Sequence, residues 1–379
     1  MANTRETMGE AACLDALVAD TLTSFEDDTV TQIGTYALYK QTNLVNIKVP
    51  NCKTIKSNGL GYCTALETLD LLGSSGSSSA ARIFNTESLI GSTNITHLIL
   101  RYSGDGIAYI DANSYDELFT RTKLGKDIGA IYVPTTKLAS YRDSDIWRTF
   151  PIFSIDDYPV SSLETITDSW SQIATKCANG EYVTAYKVGD RKEITIDGTT
   201  YLMVLAAKDK DVLASDGTTT VPTTWLMSRV LYTTHSMNSV TNNTRSWAAS
   251  EIRSWLASTV LPLLPQDVQS AIKEVRKYSG KYENSNVAKD DQTSDKLWIP
   301  SQRETYGDTI YETKGSRYDI LNCTSSLNGL RKKFFNGYTQ QWWMRSCGST
   351  TQFRIVNTSG TYSNSSDSTL NGVCLGFCI

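Results

Sequence analysis

Hydrophobic positions in the first half of the chain recur at a fixed spacing. Ile33, Leu38, Leu44, Ile47 and Val49 are matched by Ile55, Leu60, Leu66, Leu69 and Leu71, each pair 22 positions apart. A third set, Phe84, Leu89, Ile95, Leu98 and Leu100, follows 29 positions later, and the tract from Gly73 to Ser79 accounts for the extra seven. Leu22 and Phe25 stand one period before Leu44 and Ile47. Ile128-Gly129-Ala130-Ile131-Tyr132-Val133-Pro134 ends as Ile47-Lys48-Val49-Pro50 does. Each set closes on apolar residues at strand spacing, with alternate side chains facing one side.

A period near twenty with leucines at strand spacing predicts a short leucine-rich-repeat solenoid of the α/β class. One repeat cannot bury its apolar face, but stacked repeats can. Ala11, Leu14, Leu17 and Val18 fall at helical spacing and predict an N-terminal helical cap. With three or four repeats the concave surface is small, so this half reads as a spacer or docking arm before it reads as a ligand-binding surface.

The register stops near Phe153. Ser154-Ile155-Asp156-Asp157-Tyr158-Pro159-Val160-Ser161-Ser162 is polar and turn-prone, and a new pattern begins at Ser169-Trp170. The expected domains are 1–154 and 169–379, with a linker over 155–168. In the second, Glu193–Ile196 and Tyr201–Leu205 flank Asp197-Gly198, a hairpin signal. Thr224–Met227 and Arg229–Tyr232 predict further strand. Ile252, Trp255, Leu256 and Val260 predict one amphipathic helix; Val268, Ala271, Ile272 and Val275, behind Pro265 at the first helical position, predict another. Lys296–Ser301 reads as a short strand, and from Trp342 onward the chain reads as strand and turn. The expected class is α+β with a small, mostly antiparallel sheet and two helices.

Composition narrows the function. Charged residues are 20% and the net charge is −4. The one dense basic run, Arg331-Lys332-Lys333, is too short for the footprint that nucleic acid requires. No stretch is apolar enough to span a membrane, and Met1–Glu6 opens no signal-peptide core, so synthesis in a bacterial-type cytoplasm is expected. The eight cysteines form no C-x-x-C, and His97 and His235 have no ligand cluster nearby; no metal or cofactor is expected. Cys374 and Cys378 are four apart in strand, too far for a disulfide.

The N-terminal repeats, followed by Leu138-Ala139-Ser140-Tyr141 and Ile146-Trp147, resemble BspA-like leucine-rich repeats of bacterial and phage surface proteins. In the second half, four segments resemble, in order, a domain family of unknown function common in phage and gut-bacterial proteins. They are Ser246-Trp247-Ala248-Ala249-Ser250-Glu251-Ile252-Arg253-Ser254-Trp255-Leu256, Leu297-Trp298-Ile299-Pro300-Ser301 with Glu304, Trp342-Trp343-Met344-Arg345-Ser346, and Gly372-Val373-Cys374-Leu375-Gly376-Phe377. Cys374-Leu375 replaces the usual Arg-Pro. The resemblance implies the C-type-lectin-like fold shared with formylglycine-generating enzymes and with variable proteins of diversity-generating retroelements, phage receptor-binding proteins among them. It implies a scaffold of Trp342, Trp343, Arg345, Phe353 and Phe377.

Between Arg345 and Gly372 the composition becomes polar. Phe353 and Ile355 alternate with Gln352 and Arg354, as a half-exposed strand would. Two readings compete: a polar surface loop, or a variable region (342–379) in which template adenines are randomised. Randomised adenine-rich codons ending in a pyrimidine yield Asn, Ser, Thr, Tyr, Asp, Cys, Gly, Arg or Leu but not Lys or Glu, and neither occurs from Trp342 to Ile379. The expected ligand-binding face comprises Cys347, Ser349, Thr350, Thr351, Arg354, Asn357, Thr361, Tyr362, Ser363, Asn364, Ser365, Asp367, Ser368 and Asn371, a composition similar to antibody paratopes.

Catalysis is not expected: no nucleophile has a visible base, and Asp367 with Asn364 and Asn371 is thin for calcium. The expected function is a phage tail protein that binds a bacterial cell-surface receptor, protein or glycan, as part of the virion. The N-terminal half would meet other tail proteins. Multivalency favours a homo-oligomer, a trimer among the candidates. A bacterial surface adhesin of the same architecture is the alternative, followed by a carbohydrate-active enzyme.

Overall fold

The computed structural model describes residues 7–8, 23–76, 81–126, 129–158, 165–231, 233–240, 246–283, 286–322, 331–335, 338–349 and 351–379. The expected helical cap with Leu22, Ser77–Ser79, Ile128, residues 159–164 of the expected linker, Tyr232 and Thr350 lie outside them. The chain divides into two compact units, Met1–Leu163 and Glu164–Ile379.

The first unit contains β1 (Thr7–Met8), β2 (Ser24–Glu26), β3 (Gln32–Ile33), β4 (Asn46–Val49), β5 (Thr54–Ile55), β6 (Thr68–Leu71), β7 (His97–Leu100), α1 (Ala112–Arg121), β8 (Ala130–Val133), α2 (Leu138–Asp143) and β9 (Ile152–Ser154). Strands β2, β4, β6, β7, β8 and β9 form a parallel sheet in chain order. Its register sets Phe25, Ile47, Leu69, Leu98, Ile131 and Ile152 side by side. Residues one period apart are therefore neighbours, and Ile47, Leu69, Leu98 and Ile131 are fully buried. A smaller parallel sheet, β1-β3-β5, continues through a bridge from Ile55 to Phe84.

The sheet's other face carries Lys48, Asp70, Ile99, Tyr132 and Phe153. Asp70 is clasped by Arg101 at 2.6 and 2.7 Å. Toward β9 this face turns apolar, and Ile155 packs on Ile99, Ala130, Tyr132 and Phe153. Tyr158 stands edge-on to Tyr132 at 4.8 Å. Ile155–Tyr158, expected to begin a polar linker, thus cover this sheet.

The period is also written in the backbone. Tyr36, Asn58 and Glu87 share φ near +60°, as do Lys40, Tyr62 and Gly91 at 59–74°, and within each trio the spacings are again 22 and 29. The turns stack by backbone bonds such as Leu38 N–H to Gly59 O at 2.9 Å and Leu60 N–H to Ser88 O at 3.0 Å. Asn and Gly suit a left-handed position; Tyr, Lys and Glu are strained there.

The second unit contains α3 (Trp170–Ala178), α4 (Tyr182–Ala185), β10 (Arg191–Ile196), β11 (Thr199–Lys208), β12 (Thr223–Met227), α5 (Glu251–Trp255), α6 (Gln266–Ala271), β13 (Val275–Glu283), β14 (Asn286–Asp295), α7 (Gln302–Tyr306), β15 (Lys333–Phe335), β16 (Tyr338–Gln340), β17 (Trp342–Ser349), β18 (Gln352–Val356), β19 (Tyr362–Ser366) and β20 (Gly376–Cys378). All its strand pairs are antiparallel: β10-β11-β12-β20, β13-β14, β15-β16 and β17-β18-β19. The Asp197-Gly198 turn joins β10 to β11 with positive φ at both residues, as a two-residue hairpin turn requires.

Several local expectations shift. Val275 opens β13 rather than ending a helix, and Pro265 caps α6 from outside. Arg229–Leu231 and Lys296–Ser301 form no strand, though Trp298 bridges to Gly376. The long β13–β14 hairpin was not expected at all. β20 ties the end of the unit to its middle, pairing Trp225 with Phe377. Trp170 meets both rings edge-on at 5.1 and 5.4 Å. Gly376 has no room for a side chain: a Cβ there would stand 2.6 Å from Leu226 and Trp298.

Candidate binding face

The face begins from a buried floor. Trp342 and Trp343, both fully buried, donate their indole N–H groups to Arg331 O at 3.0 Å and His235 O at 2.7 Å. Two residues on, Arg345 donates to both oxygens of Glu304 at 2.5 and 2.6 Å and to the carbonyls of Ile299 and Tyr278. Glu304 is placed by a capping box: its N–H bonds Ser301 Oγ, and its carboxylate accepts from Ser301 N–H. Lys277, also buried, bridges Glu304 and Asp211 and lies 3.4 Å above the Trp298 ring. Burial alone would raise the Glu304 carboxyl, but Arg345 and Lys277 more than offset it and hold it down at about 2. Arg345 is correspondingly raised, its own burial outweighed by Glu304. Glu312 accepts from Ser346 Oγ and Gly280 N–H, and burial pushes its carboxyl up. Trp247 and Arg253 both hold the carboxylate of Asp295, at 2.9 and 2.6 Å. The conspicuous tryptophans and arginines of the sequence thus serve separate polar anchors, one around Glu304, one around Asp295 and two at backbone carbonyls.

Above it lie β17, β18 and β19. Both faces of β18 are covered: Phe353 and Val356 are fully buried, Ile355 is 2% exposed and Arg354 only 7%. This corrects the expectation of a half-exposed strand. The Arg354 guanidinium donates to Gln302 Oε1 at 2.5 Å and to Asn364 Oδ1 at 2.6 Å, and lies 4.5 Å from the Tyr362 ring. Arg354 props the face from beneath.

The other expected residues divide. Tyr362, Ser363 and Asn364 on β19, with Thr351 and Ser368, are exposed; Ser349 and Ser365 are half-buried. Asn357 and Thr361 close a turn, the Asn357 side chain accepting from Ser359 N–H and Thr361 N–H. Three residues are removed from the surface. Cys347 is fully buried in the core opposite Phe353. Asp367 is fully buried and accepts from the Asn238 amide at 3.3 Å. Asn371 is 5% exposed, pairs with His235 and donates to Ser365 Oγ. Burial leaves these three no access to a partner. Of the expected scaffold, Phe377 belongs to the β12–β20 pair, away from this sheet.

Tyr306 and Tyr311 were missed. Tyr306 meets Tyr362 edge-on at 5.3 Å and donates to Gly360 O, and Tyr311 lies 5.4 Å from the Arg354 guanidinium. The Ser301-x-x-Glu304 capping signal locates the helix that carries Tyr306; no sequence signal points to Tyr311.

Among the described residues no group of His, Cys, Asp and Glu is arranged to hold a metal, and no helix is long and apolar enough to cross a membrane. Cys374 and Cys378 carry no disulfide. Burial raises both thiols, so they stay protonated at neutral pH.

Residues 222–379 match a protein family described as a domain of unknown function (DUF6273). No curated protein and no solved structure matches the chain.

Proposed function

We propose that the second unit binds a bacterial cell-surface receptor as part of a bacteriophage tail, in a C-type-lectin-like fold whose working face is β19 and its flanking turns. One observation carries this reading: an exposed row of Tyr, Ser and Asn stands on an ion-paired, tryptophan-braced floor. Such a surface separates a rigid support from adaptable contacts. Because Arg354, Glu304 and Arg345 sit beneath the face, residues above them can change without loss of fold. That is the condition a diversified region needs. The first unit, read as a leucine-rich-repeat solenoid, would then be the arm that meets other tail proteins in a homo-oligomer.

The test uses the full chain, fluorescently labelled, against a panel of bacterial strains. Replacing Tyr362, Ser363 and Ser368 together by Ala is expected to abolish adsorption to the strain that binds the parent protein, with unchanged thermal unfolding. Undiminished adsorption by the folded triple variant would overturn the assignment.

A further inference from the structure

β19 is the outer strand of its sheet, and its hydrogen-bonding edge is open. The register pairs Gln352 with Ser366, Arg354 with Asn364 and Val356 with Tyr362. Just beyond each end, Asp367 N–H donates to Thr351 O at 3.2 Å, and Asn357 N–H donates to Thr361 O at 2.8 Å. In an antiparallel ladder, pairs that exchange backbone bonds alternate with pairs that do not. With 351–367 and 357–361 as bonded pairs, 353–365 and 355–363 are bonded too. Tyr362, Asn364 and Ser366 therefore turn their N–H and C=O groups away from β18. Among the described residues, Ser366 O accepts from Thr369 N–H at 3.0 Å, and the other groups of this row hold no hydrogen bond. Tyr362, Ser363 and Asn364 are exposed, so no described residue covers this part of the edge.

Exposed edges in soluble proteins ordinarily carry a lysine, a proline, an inward charge or a bulge. β19, Tyr-Ser-Asn-Ser-Ser, carries none, and its register with β18 is unbroken over five residues, whereas β17 and β18 slip twice. A row of donors and acceptors spaced two residues apart is complementary to one kind of partner, another extended backbone. We infer that this edge accepts a β-strand from a protein receptor, which adds to the β17-β18-β19 sheet as a fourth strand beside β19. Backbone pairing supplies the affinity, and the side chains of Tyr362, Asn364 and Ser366 read the incoming sequence. This places the receptor among proteins rather than glycans, and it rests on the reading of this face as the binding surface.

Asn364 separates the possibilities. Its N–H points outward, so Asn364→Pro removes a donor that the fold does not use and sets a proline ring on an edge strand, where proline is tolerated. Asn364→Ala loses the same carboxamide, and with it the bond from Arg354, but keeps the N–H. The full chain and both variants are compared for binding to the adsorbing strain, before and after the cells are treated with protease, with thermal unfolding and sedimentation run in parallel. Expected are loss of binding on protease treatment, a drop of at least about tenfold for Asn364→Pro, and a smaller change for Asn364→Ala. Binding that survives protease assigns the surface to a glycan and overturns the inference. So does equal binding by both variants. A parent dimer that Asn364→Pro converts to monomer gives the edge to a second copy of this chain, which also overturns it. If the triple variant at Tyr362, Ser363 and Ser368 adsorbs like the parent, it is the binding-face reading that falls.

Discussion

In the first unit Leu69 has for neighbours Ile47 and Leu98, the residues one repeat before and after it; in the second, Trp225 has Phe377, from the far end of the chain. The two units place their costs differently. The stacked turns of the first need left-handed backbone at two positions per repeat, and four of the six are filled by Tyr, Lys or Glu. Among its described residues the second has no such row; it instead buries Lys277, Glu304 and Arg345, which are tolerable only because they satisfy one another. Local pairing closes short loops, whereas the second unit must bring distant segments together before any of its ions is matched. Strain in the first unit is therefore spread in small parcels, and in the second it is concentrated at one network.

The largest expected break in that contrast is Glu304→Gln. Removing one partner leaves Arg345 and Lys277 short of charge in the core, and about 3–5 kcal/mol of stability should be lost. Urea unfolding followed by tryptophan fluorescence should show the second unit's transition moving and the first unit's staying put. If both move together, the units are not energetically separate.

A smaller effect is expected from acid. Glu304 is held at about 2, below its ordinary value of 4.5, so its contribution is present above that value and disappears as the pH falls toward about 2. Glu312, raised by burial, has the opposite sign: its contribution is lost as the pH rises through its elevated value. Circular dichroism between about pH 4.5 and 2 should show the second unit weakening, and Glu304→Gln should flatten that slope. An unchanged slope would place the acid sensitivity elsewhere.

The smallest change sharpens the comparison from the other side. Lys40 is exposed at φ +62°, and asparagine tolerates that conformation. Lys40→Asn should stabilise the first unit by up to about 1 kcal/mol, read as a higher urea midpoint for that transition alone. A lower midpoint would mean that the Lys40 ammonium, 5.3 Å from the Tyr39 ring, outweighs the backbone strain.

The same contrast explains what the sequence reveals. Ile47, Leu69 and Leu98 could be aligned because residues that repeat in sequence touch in space. The Asp197-Gly198 hairpin was legible because its turn residues suffice to form it. β13 and β14 were hidden because they bury Lys277, Ser279, Thr293 and Asp295, which breaks apolar alternation. The partners that make those residues acceptable, Asp211, Glu304, Arg345, Trp247 and Arg253, come from other segments. At the candidate face, Tyr362, Ser363 and Asn364 could be picked out by composition. The inward turn of Arg354 could not, since it depends on Gln302 and Tyr311 meeting its guanidinium on one side of a strand that composition alone makes look half-exposed.

The recurring left-handed positions have a consequence for how such a molecule can change length. A turn that carries its own dihedral pattern and its own inward residues needs only a like turn on either side. Duplicating one such segment adds a strand of about 4.8 Å to the stack without asking any distant residue to adapt. Reach in the first unit is thus adjustable in whole steps, by gain or loss of a single stretch of gene, while the second unit must be inherited intact.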